Sequence, residues 1–329
     1  MAFDGWARAA GAALVSVAMG LSGAVAARAG DLPVLKVAAL EGGTVNWELD
    51  TIRHYGLDRE HGFTLEVVPV AGKSGSDIML QGGAVDAIVT DWFWVARMRA
   101  AGEDYRFIPY SKAVGGLMVR ADSPARSLAD LKGKKIGIAG GPIDKSWLIL
   151  RAYAQKAEGI DLAAETEQVF GAPPLIMKAA LSGEVDGAIN FWHFAAKMEA
   201  AGMVPLITVG AAATELGLSP ETPLLGYVLP GDLVESKPEL AQGLAAASRA
   251  AKEKLATDDA AFARLRPIMR AGDDAQYAAL VAGFRAGIPA PGPVDEEAAD
   301  RMLRLMAELG GTKLVGGATS LPKGTFLSN

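Results

Sequence analysis

GAVDAIVTDWFWVARMRAAG, residues 83–102, returns one hundred residues later as GEVDGAINFWHFAAKMEAAG, residues 183–202. Superposed without a gap, the two share nine of twenty positions, among them Gly83/Gly183, Asp86/Asp186, Trp92/Trp192, Met98/Met198 and Gly102/Gly202. Upstream at the same offset, Trp47 matches Trp147, each following a Lys-containing apolar run, LKVAAL or KKIGIAG, and a glycine pair. Four of the six tryptophans therefore fall into two matched pairs; Trp94 lies inside the repeat and Trp6 near the N-terminus. Such a repeat implies two similar lobes, each presenting Trp from equivalent loops, with a ligand held between them.

Around the repeat, short apolar runs alternate with helical patterns, the signature of parallel βα units. In the first half, LKVAAL, FTLEVVPV and VDAIVT read as strands, with helices near Trp47–Tyr55, from Ser76 and over Val95–Ala101. KKIGIAG, TEQVF and VDGAIN repeat them in the second half, with helices over Lys145–Ala157, Pro174–Leu181 and Ala195–Ala201. Strands this rich in Val, Ile and Ala suit burial on both faces of a parallel sheet. Further helices are expected over Pro238–Ala256, Asp258–Ala271, Asp274–Ala286 and Asp295–Leu309, opened by Pro or Asp. Gly115-Gly116 is a candidate hinge, and the strand around Gly226–Val228 a candidate return crossing. The expected division is 1–29 as a signal peptide, 30–116 plus 218–329 as lobe I, and 117–217 as lobe II.

The leader has Arg8, an apolar run from Ala9 to Ala27 and small residues suited to cleavage near Ala29, which predicts export to the periplasm. Removing Asp4, Arg8 and Arg28 moves the formal charge from −6 to −6 − 1 = −7. With no basic cluster beyond Lys132, Lys134 and Lys135, that balance leaves no footprint for nucleic acid. Cysteine is absent, which excludes disulfides, thiol nucleophiles and Cys-ligated metals. No HExxH or clustered His/carboxylate set points to a metal, GGPIDKS lacks phosphate-loop spacing, and no cofactor is expected.

LKVAALEGGTVNWELDTIRHYGLDREHGFTLEVVPV, GKSGSDIMLQGGAVDAIVTDW, GLMVRADSPARSLADLKGKKIGI and the second VDGAINFWHFAAKMEAAG together resemble the nitrate/sulfonate/taurine (NitT/TauT) family of ABC-transporter substrate-binding proteins. The resemblance implies a type II periplasmic-binding-protein fold, α/β, with two βαβ-based lobes joined by a two-segment hinge. It further implies a monomer that closes on a small molecule and delivers it to an inner-membrane ABC permease with its cytoplasmic ATPase. Relatives on this fold also include enzymes of precursor biosynthesis, and a periplasmic solute sensor would share the same features; both stand as alternatives.

Ligands of open α/β sheets bind beyond the carboxyl ends of the strands. That rule selects Glu41, Asn46, Trp47, Ser74, Ser76, Asp91 and Trp92 in the first lobe, and Ser146, Trp147, Asn190, Trp192 and His193 in the second. The serines sit at helix N-termini, where backbone N–H groups can hold an oxyanion or be capped by the serine itself. Facing indoles can sandwich a flat ring or surround a cation. Glu41, Asp91 and Asp144 match or outnumber Lys73 and Lys145, and no Arg lies in these loops, so a neutral or cationic aromatic or amine compound fits better than a strong anion. The sulfonate-like ligand that the resemblance suggests remains the other choice.

Overall fold

The computed structural model describes residues 32–327. The predicted signal peptide lies outside them. In chain order, the first lobe comprises β1 (Val34–Leu40), α1 (Val45–Tyr55), α2 (Leu57–Glu60), β2 (Thr64–Val70), α3 (Lys73–Gln81), β3 (Ala87–Asp91), α4 (Trp92–Ala100) and β4 (Tyr105–Ser111). The second comprises β5 (Gly116–Arg120), β6 (Lys135–Ala139), α5 (Lys145–Tyr153), α6 (Leu162–Glu165), β7 (Glu167–Gly171), α7 (Pro173–Ser182), β8 (Gly187–Asn190), α8 (Trp192–Ala200), β9 (Met203–Thr208) and α9 (Val209–Glu215). The chain then continues through β10 (Leu225–Pro230), α10 (Gly231–Ser236), α11 (Pro238–Thr257), α12 (Asp259–Met269), α13 (Asp274–Ala286) and α14 (Glu296–Val315).

Two five-stranded sheets result, ordered β2-β1-β3-β10-β4 and β7-β6-β8-β5-β9. In each, three parallel strands are followed by one antiparallel strand, β10 or β5, which arrives directly from the other lobe. The expected α/β fold with two βαβ lobes and a double crossing is thus present.

The repeat has a local physical cause. Gly83 and Gly183 take φ of 68° and 78°, and Gly102 and Gly202 take 92° and 90°, the left-handed turns that end equivalent helices. Asp86 accepts the backbone N–H of Lys36 at 2.7 Å, and Asp186 that of Lys135 at 2.9 Å. The repeated Val-Asp therefore ties the third strand of each lobe to the first.

The hinge expectation needs correcting at its second segment. The crossings are residues 112–115 and 216–224, between the last strand or helix of one lobe and the first strand of the other. Gly226–Val228 is instead paired on both sides, to β3 and to β4, inside the first sheet. Gly115 and Gly116 owe their identity to close approach: a Cβ on Gly115 would lie 1.8 Å from the Asn190 carbonyl oxygen, and one on Gly116 2.8 Å from that of Ile207.

The helical tail packs mainly on the first lobe but does not stop there. Helix α11 lies on α1 and α2, whereas α13 packs against α8 and α14 spans from α4 to α5. One hydrophobic cluster accordingly runs from Ile88 and Trp92 through Met302 and Met306 to Ile136 and Trp147, binding the lobes through α14. Among the described residues, no helix is long and apolar enough to cross a membrane.

Candidate functional site

Between the lobes lies a cavity of about 400 Å³. The carboxyl ends of β1 and β3 and the first turn of α3 wall it from one side, and the N-termini of α5 and α8 from the other. Both crossing segments contribute as well, through Ala113–Gly115 and Leu224. This is the position that strand polarity predicts, because loops and helix N-termini converge there.

Of the twelve residues selected from sequence, Asp91, Ser146, Trp192 and His193 line this cavity. The remaining eight are placed elsewhere. Glu41 and Ser74 are exposed outside it. Asn46 Nδ2 donates to the carbonyls of Leu40 and Gly43 at 2.8 and 2.9 Å, stapling the loop after β1. Ser76 donates to the Lys73 carbonyl at 2.7 Å, and Asn190 Nδ2 to that of Pro173 at 2.9 Å.

The expectation of facing tryptophan walls is corrected in the same way. Trp47, Trp92 and Trp147 are 2%, 0% and 2% exposed, each within a hydrophobic cluster. Trp92 stacks on Phe93 at 3.9 Å and meets Phe326 at 5.9 Å, so the C-terminal segment covers the face that the repeat left open. Trp192 alone of the described tryptophans lines the cavity, its ring edge-on to Trp47 at 5.9 Å and pressed against Gly283 of α13. A Cβ at Gly283 would approach that ring to 2.8 Å, so glycine is what lets the indole reach across.

Charge in the cavity is organised by one contact between lobes. Lys145 Nζ, at the first position of α5, donates to Asp91 Oδ2 at 2.8 Å, while Asp91 Oδ1 caps α4 by accepting from the Trp94 N–H at 3.0 Å. Burial works to raise the Asp91 carboxyl, but Lys145, together with Lys73 and the Trp94 N–H, holds the group below its usual range. Burial likewise opposes the charge on Lys145, and Asp91 more than restores it. The pair is ionised on both sides. Asp144 caps α5 by accepting from the Trp147 N–H at 3.1 Å, and burial pushes its carboxyl up.

Burial, assisted by Lys197, lowers His193 to about 4. Its imidazole is neutral near pH 7, and the unfolded chain takes up a proton before the folded one does. Stability is therefore expected to fall as pH drops from about 6.5 toward 4. Thermal melting across that window checks this, with a flatter pH slope expected for His193→Gln.

Sequence reasoning did not single out Thr90, Tyr110, Val114 and Leu225, all of which line the cavity. Thr90 directly precedes the selected Asp91, and Val114 and Leu225 follow only once the crossings are known to form a wall. Two buried polar atoms on lining residues lack partners, Thr90 Oγ1 and His193 Nδ1. Among the described residues, no group of three or more His, Cys, Asp or Glu is placed to hold a metal ion.

The sequence family described as NMT1/THI5 like matches residues 54–261. No curated protein matches the sequence. Among solved structures, the periplasmic aliphatic sulphonate binding protein SsuA from Escherichia coli is 21% identical, with a TM-score of 0.66 over 86% of this chain and 94% of that chain. The alkanesulfonate-binding protein SsuA from Xanthomonas axonopodis pv. citri, bound to MOPS, is 17% identical, with a TM-score of 0.68 over 92% of this chain and 100% of that chain. The desulfurization enzyme DSZB is 16% identical, with a TM-score of 0.57 over 89% and 97% of the two chains. These likenesses establish the fold, and the resemblance read from the residues agrees with it. Since the family match spans more than half of its length, the chain belongs to the NMT1/THI5-like family.

Proposed function

We propose that this protein is the exported substrate-binding component of an ABC importer, which captures a small organic solute between its lobes and hands it to a membrane permease. The observation that carries the reading is the interlobe cavity of about 400 Å³, walled by both lobes and by both crossings. Cavities of roughly 300–1,000 Å³ with apolar walls and few polar groups suit small-molecule ligands. A ligand touching both walls favours the closed arrangement over an open one by its differential contacts. Residues 112–115 and 216–224 are the segments about which the lobes would move.

Titration calorimetry of the protein against taurine, alkyl- and arylsulfonates, nitrate, aminopyrimidines and quaternary amines tests this. Saturable binding to one class is expected, weakened roughly tenfold by Trp192→Ala, which removes an aromatic wall. No saturable heat from any class would sink the proposal. The likeness to DSZB keeps catalysis as a second reading. Mass spectrometry of the bound compound after incubation separates the two: a binding protein returns it unchanged.

A further inference from the structure

We propose that Asp91 and Lys145 form a charge filter: by pairing with each other across the cleft they set the site to take an uncharged, flat ligand. This rests on the interlobe-binding reading above and names the ligand class for it.

The pair joins the N-cap of α4 in one lobe to the first position of α5 in the other, at 2.8 Å. Both side chains are largely shielded, at 11% and 28% exposed. The other ionisable groups around the cavity are already occupied or uncharged. Lys73 is paired with Asp77 at 3.1 Å, Asp144 is engaged as the cap of α5, and burial keeps His193 neutral. Among the described residues, no arginine lines the cavity. An anion entering this space would meet Asp91, would gain Lys145 only by stripping it from Asp91, and would find Lys73 only at the rim, where the side chain is 45% exposed and screened by solvent. A cation would meet Lys145 and Lys73 and would gain Asp91 only by stripping it from Lys145, while Asp144 is spent on the cap of α5 and drawn by burial toward its neutral form. Either leaves an unpaired charge in an apolar cleft, the costliest outcome available there.

What the cavity does leave open is uncharged surface. Thr90 Oγ1 and His193 Nδ1 are the unpartnered polar atoms of the lining residues, both buried behind the cavity surface, and neither carries a charge. The aromatic surface for the flat body of the ligand comes from Trp192 and Phe191.

Benzamide, benzoate and benzamidinium test the filter, because the three share size and shape and differ in charge. The protein as it stands is expected to bind benzamide best by calorimetry. Asp91→Asn keeps the capping oxygen while freeing Lys145, and should raise benzoate affinity roughly tenfold without a gain for benzamidinium. Lys145→Gln frees Asp91 and should shift preference the opposite way, toward benzamidinium. A merely structural role would weaken all three probes together in both variants. Should Lys145→Gln fail to fold, the unmodified protein and Asp91→Asn decide the matter.

Binding of a charged probe ahead of benzamide by the unmodified protein overturns the filter and leaves interlobe binding standing. So does loss of all three probes in Asp91→Asn with an intact melting transition. No binding of any probe to any of the proteins overturns the filter, and with the solute panel also silent it overturns the binding reading itself.

Discussion

Trp92→Ala is expected to lower folding stability by about 3–5 kcal/mol while leaving the affinity of the folded protein for its ligand unchanged. The side chain is 0% exposed and begins α4, with Phe93 stacked on one face at 3.9 Å and Phe326 tilted against it at 5.9 Å. Truncation would leave a cavity that three different parts of the chain border, namely α4, the sheet below it and the C-terminal segment. Such a site collapses poorly, which places it toward the upper end for large-to-small core changes. The indole Nε1 has no hydrogen-bond partner, so Trp92→Phe should cost distinctly less than Trp92→Ala. Its repeat partner should behave in the opposite way. Trp192 is only partly buried and lines the cavity, so Trp192→Ala is expected to weaken ligand binding more than folding. Urea unfolding followed by circular dichroism, beside calorimetric titration of the same variants, separates the two effects. Equal destabilisation by both substitutions, with equal loss of binding, would mean that the repeat pairs have equivalent environments.

The division between these two tryptophans marks where the sequence stops being legible. The repeat predicts the strands, and the glycine turns at residues 83, 102, 183 and 202 and the clamps made by Asp86 and Asp186 recur with it in the structure. It cannot say which face of a repeated helix the rest of the chain will cover. Phe326 reaches Trp92 from 234 residues away in sequence, and Gly283 of α13 reaches Trp192 from 91 residues away. The site is limited in the same manner. Strand polarity points to the loops holding Asp91, Ser146, Trp192 and His193, and the cavity is indeed bordered there. That Asp91 and Lys145 cancel one another depends on two loops of different lobes meeting. Counting rim charges therefore gives acidic predominance, where the folded cavity is close to balanced. Gly226–Val228 looks like a return crossing for a related reason: an antiparallel strand threaded between β3 and β4 carries no local signal of its neighbours.

Lys252→Met is expected to cost about 3–5 kcal/mol, because it strands a buried carboxylate. Glu48 on α1 is 0% exposed, and Lys252 on α11 places Nζ 2.9 Å from its Oε2, with that lysine side chain only 9% exposed. The other carboxylate oxygen accepts from Tyr227 of β10 at 2.8 Å and from Ser248 at 2.6 Å. Burial pulls the Lys252 ammonium below its usual range, and Glu48 offsets only part of that pull. The ammonium also stands 5.2 Å over the ring of Tyr110, which lines the cavity. One ion pair thus joins α1, α11 and the sheet directly behind the binding wall. Removing only the lysine leaves Glu48 with two hydroxyl donors and no countercharge, in a region where water does not reach it. Replacing both groups, as Glu48→Gln with Lys252→Met, deletes the stranded charge as well as the attraction, and is expected to recover most of the loss. Urea unfolding of the two single variants and the double gives the coupling directly. Additive costs would mean that the two charges are solvated independently, and that the helices are held to the sheet by apolar packing alone.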